Sequence, residues 1–177
     1  MITIEDFWRM NEDIISEYGS RAHQIIDPCG LIPDWRSEVR YDSTPVNSKT
    51  FAYTGGDGVH FGIVSSSTFA QSIQPVVMTV PMNPACLNVI IAENLEEFFS
   101  IGYHSGWYFL EEISYNPDNA IANYAKIGET LSDEEFTYLQ IIRNRFNILP
   151  LELTRERLIE LKDKYFEKLD LKTKKIH

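Results

Sequence analysis

Two runs of alternating side chains, joined by Gly55, Gly56, Asp57 and Gly58, constrain this chain more than anything else in it. Phe51 and Tyr53 point one way while Ala52 and Thr54 point the other; past the glycines, Val59, Phe61 and Ile63 alternate with His60, Gly62 and Val64. A period of two belongs to β-strands. An Asp-Gly pair between two such runs reads as a hairpin turn, because aspartate tolerates positive φ and glycine adopts it freely. Pro75 to Met82 is almost wholly apolar or β-branched, as expected of a central strand covered on both faces. Asn88 to Ala92 reads as a fourth strand that runs directly into a helix.

That helix carries its own start signal. Asn94 is placed to cap the exposed amide groups, and Glu97, three positions on, is placed to reach back as in a capping box. Leu95, Phe98 and Phe99 give it an apolar face, Gly102 ends it, and a short second helix follows through Trp107, Leu110 and Ile113. Upstream of the hairpin, Phe7, Met10, Ile14 and Tyr18 recur at helical spacing between a Thr3 cap and a Gly19 stop. The stretch from there to Lys49 holds Pro28, Gly30, Pro33 and Pro45, which favour turns and extended pieces, with Trp35 and Tyr41 expected to tie it down.

Beyond Asn116 the chain reads as helical. Ser132 and Glu135 form a capping-box pattern ahead of Phe136, Leu139, Ile142 and Phe146, and Pro150 is the expected break. Thr154 opens the last helix, striped by Leu158, Leu161, Tyr165 and Leu169, and the tail at 172–175 is expected to be mobile. No repeat or long linker divides the chain. A single α+β domain over residues 1–177 follows, with an antiparallel sheet flanked by helices and a helical extension at about 116–170.

Composition narrows the setting. A chain of 177 residues buries roughly 70% of the surface its unfolded form exposes, enough to fold without metal or disulfides. Cys29 and Cys86 are too few for a disulfide scaffold and lack zinc-site spacing. The opening Met-Ile-Thr-Ile-Glu-Asp lacks the basic-then-apolar order of a secretion signal, and no apolar run approaches the roughly 20 residues of a membrane span, so a cytoplasmic setting is expected. Charge is uneven: residues 1–113 hold 15 Asp or Glu against 5 Lys or Arg, whereas residues 114–177 hold 11 of each. An acidic field repels nucleic-acid phosphates and speeds association with basic partners; a solvated surface that serves solubility is the competing explanation.

Candidate chemistry is sparse. Asp57 at the hairpin tip is first a turn residue, second a partner contact and only third a catalytic carboxylate. The loop lacks the Gly-Lys-Ser/Thr ending of a phosphate-binding loop and leads into a strand. His60, three positions on, is expected on the less buried sheet face; pairing it with Asp57 as a general base would make a small hydrolase or nucleotide-binding enzyme, the third reading. His23, His104 and His177 are scattered, so no histidine metal site is readable and no cofactor is expected. The aromatic-rich stretch holding Tyr103, His104, Trp107 and Tyr108 mostly fills a core but has room for an exposed anchor. Around it stand Glu93, Glu96, Glu97, Glu111 and Glu112. The candidate partner-binding set is therefore Asp57, His60, Glu93, Glu96, Tyr103, His104 and Trp107, with Gly55, Gly56 and Gly58 shaping the turn.

The glycine-aspartate hairpin, followed by a strand that opens into Ile91-Ala-Glu-Asn-Leu-Glu-Glu-Phe-Phe99, resembles the SUKH (Smi1/Knr4-like) superfamily. The similarity is densest over about residues 49–113 and weaker over 3–48; the turn is richer in glycine than the family pattern, and the segment after residue 116 has no match in it. The resemblance implies a non-enzymatic binding scaffold. Many bacterial members resemble immunity proteins that neutralise toxins delivered between competing cells, often basic nuclease domains, and fungal members are regulatory interaction proteins. A protein-binding role in toxin neutralisation is thus the leading expectation, and a cytoplasmic regulatory or scaffolding module the alternative.

Overall fold

A run of capped helices brackets the sheet. The computed structural model describes residues 1–70, 72–127 and 131–172; beyond Lys172 the expected tail, with His177, lies outside the described residues. Helix α1 (Ile4–Tyr18) starts at Thr3, whose hydroxyl accepts the Asp6 amide while the Asp6 carboxylate accepts the Thr3 amide, and it stops at Gly19, φ +57°. Such a cap contributes about 1 kcal/mol. Next come a short helix α2 (Ala22–Ile26), where turns and extended pieces were expected, and a two-residue strand β1 (Ile32–Pro33), one of the extended pieces expected there. Ala22, Ile25 and Ile26 are buried, so packing, not propensity, makes that turn of helix.

Strands β2 (Ser48–Tyr53), β3 (His60–Val64), β4 (Val76–Thr79) and β5 (Asn88–Ala92) complete an antiparallel sheet in the order β1-β2-β3-β4-β5. The α+β architecture read from the sequence is the one found. A register shift between Thr50 and Ala52 changes the expected alternation: Ala52 pairs with Phe61, and Phe51 and Ala52 are both fully buried in the main core. A bulge of this kind re-aims the side chains beyond it.

The first face of the sheet, with Phe61, Ile63, Val76 and Met78, joins one continuous core. Phe98 packs on Phe51, Phe61 and Trp107 at ring-centroid distances of 5.5, 5.1 and 5.8 Å. Phe98 belongs to helix α3 (Leu95–Ile101), capped by the Asn94 side chain on the Glu97 amide. The Glu97 carboxylate does reach back, but to the Glu93 amide at 2.6 Å and not to that of Asn94. After a 3-10 turn come α4 (Glu112–Tyr115), α5 (Pro117–Ile127), α6 (Asp133–Phe146) and α7 (Arg155–Tyr165). Ser132 and Glu135 make the expected capping box; α6 ends at Asn147 in the left-handed region, three residues before Pro150. Phe136 is half exposed, and Tyr138, fully buried, takes a place in the core instead.

The second face is divided. Val64, Val77 and Ile90 meet Leu161 and Tyr165 of α7 in a smaller apolar cluster. The rest is polar and lies under the segment 34–47: the Thr50 hydroxyl donates to the Val39 carbonyl (3.0 Å), Asn88 Nδ2 donates to the Ser43 carbonyl (3.0 Å), and the Ser48 hydroxyl donates to the Pro45 carbonyl (2.9 Å). Asp34 holds the turn in that segment by accepting the Glu38 and Val39 amides. These bonds, with a Tyr41 ring stacked on His60, secure the segment; Trp35 is 38% exposed and is not its anchor.

Candidate functional site

The hairpin tip is built as a tight turn whose two central residues have positive φ: Asp57 at +49° and Gly58 at +73°, closed by the Val59 amide on the Gly56 carbonyl at 3.1 Å. Positive φ at both positions is the mirror-image turn that matches strand twist. The Asp57 side chain is exposed as a result. Two tyrosines flank the tip: a Cβ on Gly56 would stand 3.0 Å from Tyr108 Oη, and one on Gly58 would stand 2.5 Å from Tyr41 Oη. The turn glycines therefore serve two purposes, backbone freedom at Gly55 (φ +89°) and Gly58, and close approach of aromatic rings at Gly56 and Gly58.

Carboxylates gather at the same place. Partial burial raises the Glu111 pKa, with further contributions from the Asp57 and Glu112 charges. The Tyr115 phenol is raised by desolvation and then by Glu111, Asp57 and Glu112 together. Among the described residues none of these three carboxylates has a Lys or Arg partner within salt-bridge distance. Tyr41 and Tyr108, 45 and 55% exposed, flank the tip, and Tyr115, 51% exposed, feels all three charges. Asp57, Glu111 and Glu112 with three tyrosines make an acidic, aromatic surface that is chemically suited to a cationic partner.

The other predicted residues divide into three groups. His60 and Trp107 are removed from any contact surface: they are 1 and 0% exposed. His60 lies under the 34–47 segment, not on a less buried face; its Nδ1 is 2.7 Å from the Gly58 carbonyl and its Nε2 2.9 Å from the Thr44 hydroxyl. A carbonyl only accepts, so Nδ1 carries the proton and Nε2 accepts from Thr44, whose oxygen in turn accepts the Tyr41 amide (2.8 Å). Both nitrogens are thereby occupied and no hydrogen bond joins His60 to Asp57. Trp107 donates its indole N–H to the Phe98 carbonyl at 3.0 Å in the core.

Glu93 is already paired. Lys164 Nζ donates to it at 2.6 Å, the Tyr165 hydroxyl donates to it as well, and these bonds hold its pKa below the usual carboxylate range. Glu97 makes a two-point pair with Arg157, Nε to Oε1 at 2.7 Å and Nη2 to Oε2 at 3.0 Å. This cluster fastens α7 to the start of α3. Tyr103 is half buried, with the Arg143 guanidinium 4.3 Å from its ring centre and bonded to its carbonyl. Glu96 and His104 are exposed.

Sequence reasoning therefore placed the tip and set Glu111, Glu112 and Tyr108 in or around the aromatic stretch, but it did not bring them to the tip and it missed Tyr41 and Tyr115. No local signal distinguishes an exposed tyrosine in a loop from one that anchors it. Among the described residues no three His, Cys, Asp or Glu side chains are grouped so as to hold a metal ion, and no helix is long and apolar enough to cross a membrane. No family model, curated protein or solved structure matches the chain.

Proposed function

We propose that this chain is a non-enzymatic protein-binding domain of the SUKH kind, an immunity protein that neutralises a contact-delivered toxin by covering its functional surface. The observation that carries the reading is the carboxylate group Asp57, Glu111 and Glu112, without a Lys or Arg partner among the described residues, near Tyr41, Tyr108 and Tyr115. Such a surface steers a basic domain electrostatically and offers rigid aromatic anchors on contact. A nuclease domain is the natural candidate, since its own substrate demands a basic face; the same acidic surface disfavours direct binding of nucleic acid. The proposed setting is the cytoplasm, in keeping with two free cysteines.

The test is co-expression with a toxin encoded beside it, using the wild type and an Asp57→Lys, Glu111→Lys, Glu112→Lys variant. Wild type is expected to restore growth and to form a complex. The variant, its fold checked by circular dichroism because Glu111 is half-buried, should associate about ten- to a hundredfold more slowly at low salt, with the gap closing as salt rises. Continued toxicity without complex formation across the adjacent toxins, or undiminished protection by the variant, overturns the proposal.

A further inference from the structure

A groove of about 470 Å³ opens beside β5, one of the two outer strands of the sheet, between the Pro84–Val89 run and α7. That volume lies within the roughly 300–1,000 Å³ typical of small-molecule sites. Its walls are apolar, chiefly Ala85, Leu87, Ile113, Leu158, Ile159 and Phe166. Among the described residues only two charged side chains line it, Arg155 and Lys162, and both are cations. In a chain with 26 acidic and 16 basic residues, a lining without a carboxylate runs against the prevailing charge.

The two cations stand two turns apart on α7 with Leu158 and Ile159 between them, so one helix face presents an apolar stripe bounded by positive charge. Arg155 is engaged by Asp118, whereas Lys162 takes part in no ion pair among the described residues. The Lys162 charge reaches into the groove: it acts on the Cys86 thiol there, opposing the rise that burial imposes. A second copy of this chain would bring another net charge of −10 to the same place, which opposes self-association.

We propose that this groove binds a medium-chain amphipathic carboxylate, its tail along Leu158 and Ile159 and its head at Lys162. An apolar tail gains about 0.8 kcal/mol for each methylene buried, and the anionic head meets Lys162, which has no ion-pair partner among the described residues. The site is independent of the toxin-binding reading, because it uses none of the hairpin-tip residues.

Equilibrium dialysis of the full chain against labelled dodecanoate, below its micelle-forming concentration, tests the assignment. Saturable binding of one molecule per chain is expected, with dodecanol, the neutral analogue, bound about tenfold more weakly. Lys162→Glu should weaken dodecanoate by about tenfold, whereas Lys168→Glu, the same charge change outside the lining, should stay within about twofold of wild type. Absence of saturable binding, equal affinity for the alcohol, or equal loss in the two variants overturns the proposal. So does a concentration-dependent dimer that Ile159→Glu dissolves while dodecanoate fails to bind, which would identify a second copy as the occupant.

Discussion

Replacing Gly58 with valine probes the hairpin tip through two separable effects. The first is backbone: Gly58 sits at φ +73°, where a residue with a Cβ costs about 1–2 kcal/mol and a β-branched one lies at the upper end. The second is contact: the new Cβ would stand 2.5 Å from Tyr41 Oη and 2.6 Å from Cζ, so the ring has to leave. Tyr41 is exposed enough to swing outward, but in doing so it loses its stack on His60, worth about 0.5–1.5 kcal/mol. Together the cost is about 2–3 kcal/mol, or roughly 5–10 °C in Tm for a domain of this size. Asp57→Asn keeps a side chain that tolerates its φ of +49° and should change stability by less than about 0.5 kcal/mol. Urea titrations followed by circular dichroism measure both. Repeating Gly58→Val in a Tyr41→Ala background removes the contact share and should recover about 1 kcal/mol of the loss. Equal midpoints for Gly58→Val and Asp57→Asn, or a valine cost that the Tyr41→Ala background leaves unchanged, would refute the reasoning.

Other consequences are as direct. Burial holds the His60 imidazole below its ordinary value, against the opposing effect of the Gly58 carbonyl, so the unfolded chain takes up that proton first. Stability should therefore fall as pH drops through about 6.5, and urea midpoints at about pH 8 and pH 5.5 should differ less in His60→Gln than in wild type; identical differences would count against the buried neutral ring. Arg157→Met should cost about 2 kcal/mol by stranding Glu97, which is 12% exposed, and a double-mutant cycle with Glu97→Gln should show coupling; simple additivity would deny the pair. Burial pushes the Cys29 thiol up to about 12, and its Sγ donates to the Glu135 carbonyl at 3.5 Å. A thiol reagent at neutral pH should thus label native Cys86→Ser protein only as fast as it unfolds, and rapid labelling would contradict the burial.

The alternation around Gly55–Gly58 made the hairpin legible, and the Thr3, Asn94, Ser132 and Thr154 caps marked four helix starts to the residue. The bulge after Thr50 was not legible, because register belongs to the pair of strands and not to either one. Nor was α2, whose helical turn is imposed by burying Ala22, Ile25 and Ile26. The candidate site was half visible. Asp57 announced itself through its glycines, yet the residues that surround it come from positions 41, 108, 111, 112 and 115.

Sequence by itself determined what depends on neighbours within a turn: where strands alternate, where helices are capped, and where the chain must take positive φ. Tertiary structure decided which charges are spent and which remain. Glu97 is matched by Arg157 from 60 positions away and Glu93 by Lys164 from 71, while Asp57, Glu111 and Glu112 have no cation partner among the described residues. Capping and turn geometry are set by bonds a few residues long, whereas the fate of a carboxylate rests on which distant helix the packing of the core brings beside it.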